Sequence, residues 1–265
     1  NTPTATENVW GAGLKDAKRQ SPSTALADVA QSVTGVILGI FLFCHMAFTS
    51  SVQISKDLFA NLINTSGGMF MFAEEQAWLH VVFVGFITLC VVIHAFCALR
   101  RFPTSYHQLR DIKAHYKMLR HEDTTLWMVQ LVTAFLLFIF VFPHLISMLC
   151  NPHGFDVNLI GVHTHHMGMI YTFVFLVITE LHGMIGLYRL AVKWDIFAKN
   201  PETDIIDQRN GDRAGLRKTF LFIALLMIVC GTLTAWKNYS IGAELIENGQ
   251  EATRYVLADE NNWWK

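Results

Sequence analysis

Five apolar stretches of membrane-spanning length constrain the fold of this chain more than any other feature. They lie at about 33–54, 77–99, 126–149, 167–192 and 217–237. About twenty consecutive apolar residues are needed to cross the hydrocarbon core of a bilayer. Charged residues make up only 15% of the chain, whereas a soluble domain typically carries about 25%. The sequence therefore predicts an all-α, polytopic membrane bundle of five helices.

The distribution of basic residues predicts how these helices are oriented. Lysine and arginine gather before the first stretch and after the second and fourth, at Lys15, Lys18, Arg19, Arg100, Arg101, Arg110, Lys113, Lys117, Arg120, Arg189, Lys193, Lys199, Arg209, Arg213, Arg217 and Lys218. The other two links are poor in them: Lys56 is alone in the first, and residues 150–166 contain none. Because loops on the cytoplasmic side carry the excess of basic residues, the N-terminus is predicted inside and the C-terminus outside. The predicted divisions are a cytoplasmic N-terminal segment (1–30), the transmembrane domain (31–240) and an outer tail (241–265).

Four histidines, one in each of the first four stretches, are the strongest indication of function. His45, His94, His144 and His182 each lie about two-thirds of the way along their stretch. Since successive membrane helices alternate in direction, the first and third histidines are placed in the outer half of the membrane, and the second and fourth in the inner half. Neutral imidazole binds iron strongly, and a histidine in lipid is costly unless something binds it. The predicted cofactors are two haem b groups, one held by His45 and His144 and the other by His94 and His182.

Other interpretations of these residues stay open. A single histidine in a membrane helix is also typical of a hydrogen-bonded core residue or of a proton relay, but matched depths on alternate helices favour haem when the four are taken together. The five cysteines show no C-x-x-C spacing, which argues against an iron–sulfur cluster, a structural zinc site and covalently attached haem. Any haem is therefore expected to be bound non-covalently.

Glu180 places a carboxyl group in the middle of the otherwise apolar fourth stretch. It lies two residues before His182, so its side chain is predicted to point nearly opposite to that histidine, about 200° around the helix. An ionised carboxylate at mid-membrane costs at least about 2.5–3.5 kcal/mol, so the group is protonated, partnered or reached by water. We predict a step in a transmembrane proton path, and a carboxyl hydrogen-bonded to a serine or threonine is the structural alternative.

Several motifs occur in an order that resembles the five-helix dihaem cytochrome b subunit of membrane-bound fumarate reductases and succinate:quinone oxidoreductases. The resemblance extends to about residue 240, and it rests on residues 38–48 around His45, on His94-Ala95-Phe96 and on residues 119–127 (LRHEDTTLW). Its most specific part is Glu180-Leu181-His182-Gly183 followed by residues 186–194 (GLYRLAVKW).

The resemblance implies a membrane anchor, in the bacterial inner membrane, for a flavoprotein and an iron–sulfur protein on the cytoplasmic side. It implies that a quinone, expected to be menaquinone, reacts near the outer haem, and it allows a dimer of the heterotrimer; no nucleic acid is expected. By the same resemblance, Gln31, Ser32, Trp127 and Lys193 hold propionates of the inner haem. An interfacial aromatic residue and a positive-inside charge are the alternatives for Trp127 and Lys193.

The sequence departs from the family at the expected quinol site. The family has a catalytic glutamate in the link between the first two helices, where this chain has Gly67-Gly68 and its nearest acids are Glu74 and Glu75. The candidates to receive the quinol protons are therefore these two glutamates and the histidines of the third link, His163, His165 and His166. His166 joins the two glutamates as a predicted catalytic residue, whereas His153 and His163 are slightly better interpreted as solvated loop residues.

The predicted activity is oxidation of menaquinol near the outer haem, with electrons passing through both haems to the iron–sulfur subunit for fumarate reduction, or the reverse. Bis-histidine ligation leaves no open iron position for a substrate, so each haem is expected to carry electrons only. One alternative is the dihaem cytochrome b of a hydrogenase or formate dehydrogenase. Another is a proton-coupled transporter that uses the membrane histidines and Glu180.

Overall fold

The computed structural model describes residues 22–68, 76–100, 122–194 and 206–257, with a few residues in the gaps between these ranges. Seven α-helices have defined bounds, and none of the described residues lies in a strand. The helices are α1 (Pro22–Ser50), α2 (Lys56–Ser66), α3 (Ala77–Leu99), α4 (Glu122–Cys150), α5 (Val157–Met167), α6 (Met169–Lys193) and α7 (Ile206–Glu247). One turn of 3₁₀ helix, Ser51–Gln53, separates α1 from α2.

Five of these helices, namely α1, α3, α4, α6 and α7, are long and apolar enough to cross a membrane. The predicted multi-pass helical bundle is therefore confirmed. The helices extend beyond the apolar stretches, since α1 begins at Pro22 and α7 runs to Glu247. A helix forms its own backbone hydrogen bonds in lipid and in water alike. Each helix can therefore continue, with polar side chains, beyond the hydrocarbon core of the bilayer.

Four of the long helices form a ring. In the described part of the chain, α1 packs against α3, α3 against α4, α4 against α6, and α6 against α1. The diagonal pairs α1–α4 and α3–α6 therefore face each other across the axis of a four-helix bundle. Helix α7 lies outside this ring and packs mainly on α5 and α6. Apolar side chains such as Phe96 and Ile139 are exposed, as expected where the surrounding solvent is lipid.

Two short helices, α2 and α5, cover one end of the bundle, which we call the capped end. Each begins at a side chain that satisfies free backbone N–H groups: Ser55 Oγ accepts from Leu58 N, and Asp156 Oδ1 accepts from Asn158 N. From the sequence, both segments were predicted to be links between membrane helices. Helices of 11 residues are too short to be recognised as membrane-length apolar stretches. Helix α2 ends at Ser66, and Gly67 is its C-cap.

Residues 251–257, which follow α7, are folded onto the capped end. The backbone N–H of Tyr255 donates to both carboxylate oxygens of Asp156, at 3.2 and 3.1 Å. Its hydroxyl donates to Asp57 Oδ1 at 2.9 Å, and burial together with this hydrogen bond raises the pKa of Tyr255 to about 12. The C-terminal tail therefore ties α2 to α5 by hydrogen bonds.

The crossing of α5 and α7 depends on two glycines. A Cβ atom added to Gly242 would lie only 2.2 Å from the carbonyl oxygen of Gly161, so there is no room for a side chain between the two backbones. We expect Gly242→Ala to push the helices apart and to lower stability by about 1–3 kcal/mol, the usual cost of overpacking. Thermal unfolding of the purified protein in detergent measures the effect.

Gly215→Ala is the matched control for this prediction, because it also lies on α7 and an added Cβ meets nothing within 4 Å. Alanine is the better helix former by about 1 kcal/mol, so this variant is expected to unfold at the same temperature as the unsubstituted protein or higher. Equal unfolding temperatures for Gly242→Ala and the unsubstituted protein would contradict the proposed close crossing.

Candidate functional site

The first pair of predicted ligands lies towards the capped end. His45 is on α1 and His144 on α4, which are diagonal helices of the ring, and their ring centroids are 6.5 Å apart with an interplanar angle of 70°. Phe41 stacks on His45 at 5.3 Å, and Phe175 lies 5.5 Å from His144. The structure thus brings two imidazoles together in an apolar, aromatic part of the bundle core.

The second pair lies on the other diagonal, towards the opposite end. His94 on α3 has its Nδ1 atom 3.2 Å from the carbonyl oxygen of Gln31 and 3.3 Å from Thr34 Oγ1, both on α1. A Cβ atom added to Gly35 would lie 3.3 Å from Cε1 of the same ring. The glycine therefore lets the imidazole lie close against the backbone of α1.

His182 on α6 is held by α4 in the same way. Its Nδ1 atom lies 3.2 Å from the carbonyl oxygen of Gln130 and 3.3 Å from Thr133 Oγ1. A carbonyl oxygen can only accept a hydrogen bond, so Nδ1 carries the proton and Nε2 keeps its lone pair. The same argument applies to His94.

Each pair offers two nitrogen ligands to the bundle core. Among the described residues, no group of three or more histidine, cysteine, aspartate or glutamate side chains is placed to hold a metal ion. A metal bound at either pair would therefore take its remaining ligands from outside these residues.

Two of the four predicted propionate ligands, Lys193 and Ser32, are in contact at the end of the bundle away from the cap. Lys193 Nζ donates to Ser32 Oγ at 3.2 Å, which joins the end of α6 to the start of α1. The side-chain Oε1 of Gln31 is buried and has no hydrogen-bond partner among the described residues. Trp127 lies on the second turn of α4 and is partly buried. Of these groups, the Oε1 atom of Gln31 is the one that the described residues leave without a partner.

Glu180 is fully buried on α6, with 0% of its surface exposed. Neither carboxylate oxygen has a hydrogen-bond partner among the described residues, so the serine or threonine partner of the structural alternative is not found there. Met184, one turn further along the same face, packs on Ala224 and Met227 of α7. The carboxyl group therefore lies on the α7 side of α6, away from His182.

The predicted residues of the quinol site are only partly within the described part of the chain. Glu74 and Glu75 lie outside the described residues. His166 is exposed on α5, and its ring centroid is 6.1 Å from that of His165, which in turn lies 4.6 Å from Tyr239. Partial burial and the neighbouring His166 lower the pKa of His163 below its ordinary value.

One buried histidine, His80, was missed by the sequence analysis. It lies on the first turn of α3 at the capped end, where its Nε2 is 3.2 Å from Ser66 Oγ and its ring stacks on Phe155 at 4.3 Å. The position is near the start of an apolar stretch, so its depth does not match that of the four predicted ligands. It joins α2 and α3 and contributes to neither histidine pair.

Comparison with known proteins gives relatives over nearly the whole chain. Residues 107–234 match the family described as succinate dehydrogenase/fumarate reductase transmembrane subunit. The fumarate reductase cytochrome b subunits of two Helicobacter pylori strains are 35% and 34% identical over 267 residues, which cover 98% of this chain and 97% of each relative. The fumarate reductase cytochrome b subunit of Wolinella succinogenes is 32% identical over 225 residues, 84% of both chains.

Proposed function

The chain belongs to the family of fumarate reductase cytochrome b subunits, and on this premise we propose that it is the membrane anchor and electron-transfer subunit of a quinol:fumarate reductase. Its proposed partners are a flavoprotein and an iron–sulfur subunit on the cytoplasmic side. The proposed location is the bacterial inner membrane, with the N-terminus cytoplasmic, so that the capped end faces outward. The names of the relatives favour this assignment over the hydrogenase and formate dehydrogenase alternatives.

The observation that carries the proposal is the pair of imidazoles on each diagonal of one four-helix bundle. Bundles commonly hold cofactors in this way, between side chains of facing helices. The ring centroids of His45 and His144 are 6.5 Å apart, and these two residues would hold one metal between their imidazole nitrogens. The residues therefore fit two haem b groups, held by His45 with His144 and by His94 with His182. Each haem, once bound, takes up and releases one electron.

The polar residues opposite the cap fit the propionate groups of the inner haem. Lys193 supplies a positive charge, Gln31 the N–H donors of its side-chain amide, and Ser32 a hydroxyl group that can turn from the carbonyl oxygen of Asp28 towards a ligand. Trp127 adds an indole N–H, which can only donate. Donors and a cation are what a carboxylate requires where little water reaches it. We therefore propose that Gln31, Ser32, Trp127 and Lys193 bind the propionates.

Menaquinol is proposed to bind at the outer side, beyond the His45–His144 pair. Its protons leave outward through the capped end, and the candidates to accept them are Glu74, Glu75 and His166. Glu180 is proposed to hold a proton at its carboxyl oxygens, on a separate path that crosses the membrane between α6 and α7.

Spectroscopy of the purified three-subunit complex tests the proposed function. The reduced-minus-oxidised spectrum is expected to show low-spin b-type bands from two haems per chain, and the complex is expected to reduce fumarate with a menaquinol analogue. A chain without such bands would favour the transporter alternative. Bands together with a copurifying partner that does not reduce fumarate would favour a hydrogenase or formate dehydrogenase.

A further inference from the structure

The two inner histidines are held by the same four-residue pattern, which occurs twice in the chain. Residues 31–34 (QSVT) on α1 receive His94, and residues 130–133 (QLVT) on α4 receive His182. In both cases Nδ1 lies 3.2 Å from the glutamine carbonyl oxygen and 3.3 Å from the threonine hydroxyl oxygen. The repeated geometry on two different helices indicates a common role for the threonines.

The direction of these hydrogen bonds follows from the other bonds of each threonine. Thr34 Oγ1 donates its proton to the carbonyl oxygen of Ala30 at 2.7 Å, and Thr133 Oγ1 donates to that of Val129 at 2.8 Å. Since a hydroxyl group has one proton, each threonine oxygen can only accept from the imidazole. Both neighbours of Nδ1 are thus acceptors, and the ring is fixed as the tautomer with its proton on Nδ1.

We propose that Thr34 and Thr133 are positioning residues that set the electron-donating strength of His94 and His182, and through it the reduction potential of the inner haem alone. This inference rests on the proposed function. Hydrogen bonds from the second nitrogen of a ligating histidine orient the ring and raise its basicity. A more basic ligand stabilises the ferric state, so the hydroxyl groups lower the potential of the group that these imidazoles hold.

The other histidine pair has no such threonine hydrogen bonds in the described part of the chain. The side-chain neighbours of His45 and His144 that the structure shows are the aromatic rings of Phe41 and Phe175 and the two imidazoles themselves. No hydrogen bond to either of these two rings is formed by a described residue. The two haems therefore differ in the polarity around their ligands, and the threonines affect only one of them.

Redox titration of the holo-complex with substituted threonines tests the proposal. Thr34→Val and Thr133→Val keep the shape of the side chain and remove one of the two acceptors of Nδ1, leaving the glutamine carbonyl oxygen in place. The ratio of ferric to ferrous stability at one and the same haem is expected to fall by up to about tenfold, which is an upward shift of up to about 59 mV for a one-electron couple. The other haem is expected to keep its potential, and the low-spin electron paramagnetic resonance signal of the shifted haem is expected to move.

Two variants separate the hydroxyl group from packing. Thr34→Ser restores the hydroxyl group and is expected to restore the potential. Thr88→Val is the matched control, because Thr88 makes the same bond to a carbonyl four residues earlier, that of Val84 at 2.7 Å, and is expected to change neither potential. Loss of the inner haem in Thr34→Val with recovery in Thr34→Ser also supports the proposal.

Unchanged potentials in both valine variants, with two haems bound, would overturn this inference and leave the proposed function intact. Equal loss of haem in Thr34→Val and Thr34→Ser would overturn it as well, since space and not the hydroxyl group would then be decisive. Absence of two low-spin haems from the unsubstituted complex is a separate result, and it would refute the proposed function itself.

Discussion

Alanine in place of His45 or His144 is expected to remove the outer haem and leave the inner one bound. Alanine in place of His94 or His182 is expected to do the reverse. A haem held by one imidazole loses half of its protein ligands, and the histidine left behind is then an unpaired polar group in the membrane core. Haem content per chain and the redox titration of the two b-type signals measure the result. Each single variant is expected to retain roughly one of two haems.

Double variants test the pairing more sharply than single ones. His45→Ala combined with His144→Ala is expected to cost no more haem than either change alone, because both residues act on one site. His45→Ala combined with His94→Ala is expected to leave no haem. If the double variant of a proposed pair lost more haem than either single variant, the ligands would be partnered differently. The same would follow if the variant with both His45→Ala and His94→Ala still bound one haem.

His80→Ala is the control for these variants. The residue is a buried histidine on α3, yet its contacts are Ser66 and Phe155 and neither histidine pair includes it. Both haems are expected to remain bound, although packing between α2 and α3 is weakened. Loss of a haem from this variant would mean that general damage to the bundle, rather than loss of a ligand, explains the other results.

The membrane-spanning part of the fold could be predicted from sequence because lipid imposes a simple rule on length and composition. Each spanning segment must be apolar throughout and satisfy its own backbone hydrogen bonds, so α3 could be placed at 77–99 from its residues alone. The depth of each histidine follows from its position along such a segment. The diagonal arrangement of the histidine pairs cannot be predicted in this way, because it depends on which helices are neighbours in the ring.

The capped end was not predictable by the same means. Helices α2 and α5 are short, and their burial comes from contacts with residues far away in sequence, such as Phe59 and Val157 with Ile241. The partners of the inner histidines were missed for a similar reason. Gln31 was considered only for its side chain, whereas the structure uses its backbone carbonyl, and Thr34 and Thr133 resemble any other small polar residue in a membrane helix until His94 and His182 are placed against them.

Glutamine in place of Glu180 is expected to lower quinol-driven fumarate reduction by about 10²-fold or more, the usual effect of removing a positioned proton carrier. Glutamine has nearly the same volume as glutamate but cannot take up and release the proton. The side chain is fully buried and its carboxylate oxygens have no partner among the described residues, so the substitution breaks no hydrogen bond seen there. Haem content and both reduction potentials are therefore expected to stay close to their original values.

The physical reason for a proton path is the charge that the reaction moves. Electrons that pass inward while protons leave outward transfer charge across the membrane, and this costs about 2.3 kcal/mol for each charge per 100 mV. An inward proton at Glu180 for each electron would cancel that transfer. Electrons from an artificial donor that reduces the soluble subunits directly do not cross the membrane. Fumarate reduction with such a donor is therefore expected to be unaffected by Glu180→Gln.

Thr179→Val is the matched control for this experiment, because Thr179 is a polar residue next to Glu180 and its hydroxyl group donates to the carbonyl oxygen of Phe175 on its own helix. It is expected to retain quinol-driven turnover. Unimpaired quinol-driven turnover in Glu180→Gln would remove the proton-carrying role and leave the carboxyl as a packing residue between α6 and α7. Equal losses in both variants would instead trace the effect to disturbed packing of α6. Only loss in Glu180→Gln alone, with the artificial-donor rate intact, separates proton transfer from electron transfer through the same bundle.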